Sequence, residues 1–213
     1  MHVLDRLRQL KIVPVIVIND PFNARQLADA LVGGGLPCAE VTFRTVDAAE
    51  ALRHMAEAQP DLLLGAGTVL TVQQARQARA AGAKFIVSPG FSPAVVDHCL
   101  EHQIPVYPGV CTPTEVEAAL ARGLSVLKFF PAEAMGGLSY LEAMSAPYTD
   151  VEFMPTGGID SKKVVGYLAF RKVVACGGSW MAPAEWIRTK QFKRIRDETA
   201  LAVAAVRLSG GER

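Results

Sequence analysis

The chain has 213 residues, half of them hydrophobic and a fifth charged, and can bury a sizeable core as one domain over residues 1–213. Its net charge of +1 argues against a broad, strongly charged surface that would bind nucleic acid or a membrane. No apolar run reaches the roughly 18 residues that a spanning helix needs, and the N-terminus lacks an apolar signal region, so we expect a soluble, cytoplasmic protein. Four cysteines without a CxxC pair are expected to be reduced thiols.

Short β-branched runs alternate with helical patterns from the N-terminus onward. The chain begins with an amphipathic stretch that predicts a short helix over Val3–Leu10. Eight strands follow, predicted at residues 13–18, 38–43, 62–67, 84–88, 104–108, 125–130, 151–155 and 173–176. The helices between them are predicted at residues 23–32, 47–58, 72–81, 93–102, 114–122 and 161–168.

The alternation of strands and helices predicts the fold class. Consecutive βα units require parallel strands with right-handed crossovers, and eight such units at this length predict an α/β protein with a (β/α)8 TIM barrel. A doubly wound open sheet is the alternative, because periodicity does not distinguish an open sheet from a closed one. In a barrel the chemistry lies at the C-terminal ends of the strands.

One lysine interrupts the apolar strand at residues 125–130. Burying the Lys128 ammonium costs on the order of several kcal/mol unless it is paired or loses its proton. A neutral, desolvated lysine is the nucleophile that forms Schiff bases with carbonyl substrates. The alternative is a lysine at a strand end whose head reaches water.

The second predicted strand carries polar side chains at every other position. The period of two places Glu40, Thr42 and Arg44 on one face, and we expect this face to look into the barrel. An inward carboxylate, guanidinium and lysine would pair with one another and with an anionic substrate. A structural ion network without catalytic function is the alternative.

Glycine pairs end the last two predicted strands. The loops after strands seven and eight form the recurrent phosphate site of TIM barrels, where glycines let backbone N–H groups approach the anion. The residues of these two loops are Thr156, Gly157, Gly158, Gly177, Gly178 and Ser179. At the end of strand three, small residues leave room for a ligand and Thr68 offers it a hydroxyl. A tight turn would explain the glycines there equally well.

Residues 98–102 match the H-x-x-E-H pattern of one class of zinc protease. His98 and His102 fall on one face of an outer helix, away from the strand ends, so we favour a chance match over a metal site. The basic residues Lys190, Lys193, Arg194 and Arg196 stand beside the acidic Asp197 and Glu198, and together they predict a solvated terminal helix.

Six segments together resemble the class I aldolases of 2-keto-3-deoxy-6-phosphogluconate (KDPG): residues 40–45, 65–70, 88–90, 128–133, 155–159 and 177–180. The resemblance covers nearly the whole chain. It implies a homotrimeric (β/α)8 lyase of the Entner–Doudoroff route that splits KDPG into pyruvate and glyceraldehyde 3-phosphate. It also implies that neither a cofactor nor a metal is needed. The iminium formed between the lysine and the substrate ketone would withdraw electrons from the bond that breaks, as a metal ion otherwise would.

The resemblance assigns roles to residues at matching positions. Lys128 resembles the Schiff-base lysine and Glu40 the proton-transferring carboxylate. The implied substrate-binding residues are Arg44, Thr68, Pro89, Phe130, Thr156, Gly157, Gly158, Gly177, Gly178 and Ser179. Met135 departs from the family, which often has Asn at that position.

Three other functions are compatible with these patterns. The closest is the same cleavage with 4-hydroxy-2-oxoglutarate as the main substrate, which would leave the glycine loops without a phosphate. The second is a phosphosugar isomerase or synthase on the same barrel. The third is a non-catalytic protein that binds a phosphorylated ligand and would not need Lys128 and Glu40 together.

Overall fold

The computed structural model describes residues 2–209. Its first element is the predicted N-terminal helix, α1 (Val3–Leu10). Leu7 of this helix is fully buried and joins an apolar cluster with Val13, Leu63 and Phe85. Because these residues come from the strands, α1 covers one end of the sheet interior.

The strands are short, and most coincide with the apolar runs of the sequence. They are β1 (Ile12–Ile16), β2 (Cys38–Thr42), β3 (Leu63–Gly67), β4 (Phe85–Val87), β5 (Val106–Tyr107), β6 (Gly109–Val110), β7 (Val126–Phe129), β8 (Glu152–Pro155) and β9 (Cys176–Gly178). The other helices are α2 (Ala24–Gly33), α3 (Ala48–Ala58), α4 (Val72–Ala80), α5 (Pro93–Glu101), α6 (Pro113–Leu120), α7 (Gly137–Ser145), α8 (Val164–Ala169), α9 (Ala184–Arg188) and α10 (Phe192–Ser209).

All strand pairings are parallel, which confirms the α/β class. One sheet has six strands in the order β5-β4-β3-β2-β1-β9, and a second has the order β6-β7-β8. The predicted fifth strand, residues 104–108, is observed as β5 alone, and the unpredicted β6 of the second sheet follows directly after Pro108, which has no N–H to donate to a ladder. Single bridges join Phe153 to Val173 and Thr156 to Gly177.

Two other predicted elements differ from the structure, and the helices α7 and α9 were not predicted. The last strand lies at Cys176–Gly178 and not at residues 173–176; its two glycines, poor strand formers, are held by pairing with β1. Helix α7 was missed because its first residue is Gly137, the second glycine of a Gly-Gly pair. Both glycines have positive φ, and such a pair in a sequence indicates a turn. The predicted solvated terminal helix exists as α10, but its Thr199 is fully buried.

The two faces of the sheets bury different clusters. One cluster, including Phe85 and Met154, lies on the face that α1 covers. The larger cluster, including Val41 and Phe129, also takes in the apolar faces of the helices. Among residues 2–209, no helix has both the length and the apolar character to cross a membrane.

The four cysteines are free thiols, as predicted. Cys38, Cys99 and Cys176 are buried, and Cys111 is half-buried. Burial raises the pKa of every one of these thiols, that of Cys99 to about 11. They are therefore protonated at neutral pH and poor nucleophiles.

Candidate active site

Lys128 and Glu40 form a buried ion pair between β7 and β2. Lys128 Nζ lies 3.4 Å from Glu40 Oε1, and the two residues are only 5% and 2% exposed. The Phe130 ring lies beside the same ammonium, with its centroid 5.1 Å from Nζ. The alternative that the lysine head reaches water is therefore wrong, and the carboxylate offsets the cost of burying it.

A glycine of β3 makes room for the Glu40 carboxylate. A Cβ placed on Gly67 would overlap Glu40 Oε1 and would lie 2.7 Å from its Cδ. Thr42, two residues along β2, is also buried and donates a hydrogen bond from Oγ1 to the carbonyl of Ile16, 2.8 Å away. The Glu40 side chain thus occupies space that any other residue at position 67 would fill.

Arg44 and Thr68 meet at the ends of β2 and β3. The expectation that Arg44 pairs with the inward carboxylate and lysine is wrong: it lies beyond Thr42, the last residue of β2, and within residues 2–209 Glu40 forms its ion pair with Lys128. Arg44 is exposed, and its Nε donates to Thr68 Oγ1 over 3.2 Å. Thr68 has a φ of 54°, the left-handed conformation that a β-branched residue rarely adopts and that costs about 1–3 kcal/mol. The surrounding fold therefore holds this hydroxyl in a strained position beside the guanidinium.

The loop after β8 needs glycines because its backbone adopts positive φ angles. Gly157 and Gly158 have φ values of 106° and 78°. The carbonyls of Thr156 and Gly157 accept hydrogen bonds from the N–H groups of Ala132 and Glu133, at 2.9 and 3.0 Å. This loop is therefore joined to the segment that follows Lys128 and β7.

The second glycine pair packs against side chains that the sequence did not reveal. A Cβ on Gly177 would overlap Thr156 Oγ1, and one on Gly178 would overlap the Trp180 ring. Thr156 is buried, whereas Ser179 is exposed. These two glycines are therefore needed for packing, whether or not their N–H groups also bind a ligand.

Pro89 lies close to the strand beside Lys128. A Cβ on Gly109 would overlap the Pro89 carbonyl oxygen, and Gly109 is the register partner of Lys128. Of the predicted residues, Glu40 and Phe130 lie against the Lys128 ammonium, and Pro89 lies against the neighbouring strand at Gly109. Geometry of this kind provides a nucleophile, a proton-transferring group and apolar walls.

The histidine motif lies elsewhere, on α5. One ligand atom from each of His98, Glu101 and His102 can lie within 4.8 Å of the others. Burial, with the charges of His102 and Arg76, lowers the pKa of His98. The catalytic-site candidates lie on β2, β3, β7 and the following loops, so this cluster belongs to a different part of the fold.

Sequence reasoning missed a polar network behind the glycine loop. Glu133 Oε1 accepts from the Tyr167 hydroxyl over 2.6 Å, and Glu133 Oε2 lies 2.7 Å from Lys163 Nζ. The hydrogen bond from Lys163 lowers the pKa of Glu133, and burial raises that of Tyr167. A signal was available, since Glu133 ends the segment that contains Lys128.

Comparison with known proteins agrees with this geometry. Residues 3–197 match the family described as aldolase, KDPG and KHG aldolase, where KHG is 4-hydroxy-2-oxoglutarate. The chain belongs to the KDPG and KHG aldolase family. It is 49% identical over 208 residues to the 2-dehydro-3-deoxy-phosphogluconate aldolase of Treponema pallidum (strain Nichols), covering 98% of each chain.

Two solved structures of the family are especially informative. The KDPG aldolase of Legionella pneumophila, with pyruvate captured as a covalent carbinolamine intermediate, has a TM-score of 0.91 and 38% identity, over 95% of this chain and 98% of that one. The 2-keto-3-deoxy-6-phosphogluconate aldolase of Zymomonas mobilis ZM4 with 3-phosphoglycerate has a TM-score of 0.85 and 38% identity, over 92% and 94%.

Proposed function

We propose that the chain is a class I aldolase that cleaves KDPG into pyruvate and glyceraldehyde 3-phosphate. The observation that carries this proposal is the buried pair of Lys128 and Glu40, 3.4 Å apart, in a member of the KDPG and KHG aldolase family. A buried lysine beside a proton-transferring carboxylate is the arrangement that Schiff-base chemistry needs.

The reaction begins at the ketone carbon of the substrate. Deprotonated Lys128 adds to C2, and the carbonyl oxygen takes a proton to give a carbinolamine. Loss of water from this adduct gives an iminium. We assign the transfer of these protons to Glu40, a contribution worth about 10²- to 10⁴-fold in rate.

Cleavage follows from the iminium as an electron sink. A base removes the proton of the C4 hydroxyl, the C3–C4 bond breaks, and its electron pair moves into an enamine while glyceraldehyde 3-phosphate leaves. The enamine then takes a proton at C3, and water hydrolyses the iminium to release pyruvate and free Lys128. The water consumed here balances the water lost earlier, so the enzyme returns to its starting state.

The remaining site residues bind the two ends of the substrate. Arg44, held by Thr68, binds the carboxylate, while Pro89 and Phe130 border the reacting carbons. The N–H groups of Gly157, Gly158, Gly177 and Gly178 and the hydroxyls of Thr156 and Ser179 form the phosphate site. Binding energy from the phosphate is then available to orient the reacting carbons, so it contributes to kcat/KM.

The decisive experiment measures pyruvate release with lactate dehydrogenase as the coupling enzyme. We expect kcat/KM to be much higher for KDPG than for its dephosphorylated form or for 4-hydroxy-2-oxoglutarate. Equal values for the three acids would instead favour 4-hydroxy-2-oxoglutarate cleavage as the main activity. Borohydride trapping of pyruvate on a lysine separates both aldolase functions from an isomerase, a synthase or a binding protein.

We further infer that the sheets close as a (β/α)8 barrel. The bridges Phe153 to Val173 and Thr156 to Gly177 support closure between β8 and the β9 segment. On the other side, only Pro108 separates β5 from β6. A comparison of strand spacings in a crystal structure tests this closure directly.

The family resemblance also supports a cytoplasmic homotrimer that acts in the Entner–Doudoroff route. Phe22, Val46 and Leu70, which follow β1, β2 and β3, are 78%, 97% and 56% exposed, and apolar side chains of this kind suit a subunit interface. Light scattering coupled to size exclusion measures the mass, and a monomer would contradict the trimer.

A further inference from the structure

The side chain of Glu133 joins the two loops that follow β7 and β8. It accepts a hydrogen bond from Tyr167 at one carboxylate oxygen and pairs with Lys163 at the other. Lys163 Nζ donates in addition to the carbonyl of Gly158, 3.2 Å away. One carboxylate thus connects the catalytic strand's loop, the start of α8 and the glycine loop.

The start of α8 is arranged to present both donors to the same carboxylate. Lys163 and Tyr167 are four residues apart, so they lie on one face of a helix. Asp160 Oδ1 accepts from the N–H groups of Lys162 and Lys163, at 2.9 and 3.1 Å, and so fixes the turn that leads into α8. Tyr167 is almost fully buried, which leaves its hydroxyl dependent on Glu133 as an acceptor.

The glycines around Glu133 allow it to pack closely. A Cβ on Gly158 would lie 2.7 Å from Glu133 Cβ, and one on Gly137 would lie 3.2 Å from Glu133 Oε1. With the backbone bond from Glu133 N–H to the Gly157 carbonyl, the carboxylate side chain lies directly against the glycine loop. Glu133 follows Lys128 by five positions along the chain.

We propose that Glu133 is a positioning residue that sets where the Gly157–Gly158 backbone stands relative to Lys128, and thereby sets the preference for phosphorylated substrates. The inference rests on the proposed function of the site. In this proposal Glu133 touches no reacting atom and acts through the loop whose N–H groups we assign to the phosphate site. A carboxylate suits this role because it only accepts hydrogen bonds and can take a phenol and an ammonium at once.

The same contacts explain why a loose loop would affect one substrate and not the other. Donors that are held in place before binding need no reorganisation when the anion arrives, whereas a loop that moves by about 1 Å can lower the rate about 10²-fold. An acid without a phosphate makes no use of these donors. Its turnover therefore depends on Lys128 and Glu40, whereas the carboxylate of Glu133 is bonded to Tyr167 and Lys163.

The test compares Glu133→Gln and Lys163→Met with Lys163→Arg and with a matched control. Glu57→Gln is that control, because Glu57 also bridges two elements through Arg25 and Arg53, at 2.8 and 2.7 Å, outside the site. We expect kcat/KM for KDPG to fall about 10- to 10²-fold in the first two variants. Pyruvate trapping and kcat/KM for dephosphorylated KDPG should stay at the wild-type level.

Lys163→Arg should restore the KDPG preference, since it keeps the charge that pairs with Glu133. Equal losses for both acids, or a lower melting temperature with an unchanged substrate ratio, would show that Glu133 only stabilises the fold. Inorganic phosphate provides a readout that does not depend on turnover. Its dissociation constant, measured by calorimetry, should rise in Glu133→Gln and not in Glu57→Gln.

The calorimetric measurement also separates the two proposals. A wild-type protein that traps no pyruvate would refute the aldolase function, and phosphate affinity would still decide the role of Glu133. Equal phosphate affinity in wild type and Glu133→Gln would overturn the positioning role even if the aldolase activity is present.

Discussion

Gly67→Ala tests whether the position of the Glu40 carboxylate determines the rate of proton transfer. The new Cβ would overlap Glu40 Oε1 and would approach its Cδ and Cγ to 2.7 Å, whereas Cβ atoms essentially never come closer than 3.0 Å to another atom. Glu40 is buried, so its side chain cannot simply turn outward to water. It must shift away from its present place opposite Lys128.

The expected effects can be estimated from this overlap. A methyl group forced into a packed site costs about 1–3 kcal/mol of stability, and a displacement of about 1 Å in a catalytic group lowers the rate about 10²-fold. We therefore expect KDPG cleavage and exchange of the pyruvate methyl protons to slow by about 10². Glu40→Gln, which removes the carboxylate altogether, should slow both by at least as much.

The assay is proton exchange of pyruvate followed by NMR, with borohydride trapping at Lys128 in parallel. Gly166→Ala is the matched control, because a Cβ there meets no atom within 4 Å; it should leave exchange unchanged. Exchange at the wild-type rate in a folded Gly67→Ala protein would refute the reasoning. It would mean that Glu40 is structural or that its position does not limit proton transfer.

Three further outcomes are expected. Pyruvate with borohydride should label Lys128, and peptide mapping that finds the adduct at Lys84 would contradict the assignment. The Lys128→Arg variant should fold but give no adduct, because a guanidinium stays protonated. Incubation with EDTA should leave activity unchanged, and a loss would revive the metal interpretation of His98. Lys163 lowers the pKa of Glu133, so this contribution to stability is present above the ordinary pKa of about 4.3 and is lost as the pH falls through the folded-state value. The difference in melting temperature between wild type and Glu133→Gln should therefore shrink in acid.

Much of the fold could be predicted because strand and helix periods are local properties of the sequence. Apolar runs located most strands within two or three residues, and alternation predicted parallel pairing. The errors have physical causes. The predicted fifth strand ends before Pro108, because proline cannot donate to the ladder, and Gly177 and Gly178 form a strand that their own propensity disfavours, because β1 supplies the pairing.

Candidate site residues could be predicted where a residue is unusual for its local sequence, and could not be predicted where it is ordinary. Lys128 stood out because a charge in an apolar strand needs a reason. Glu133 did not stand out chemically, because a carboxylate in a loop needs no special partner; its only signal was its place at the end of the segment that contains Lys128. The role proposed for it rests on its contacts with Tyr167 and Gly158.

The glycines also show what the sequence alone does not reveal. A glycine in the sequence indicates that a side chain is missing, but not which neighbour fills the space. In the folded chain the neighbour is a carboxylate at Gly67, a threonine at Gly177 and an indole at Gly178. Only the first of these contacts involves a group proposed to move protons. The glycine whose replacement should cost the most catalysis is therefore in β3, and not in the Gly-Gly pairs that drew attention in the sequence.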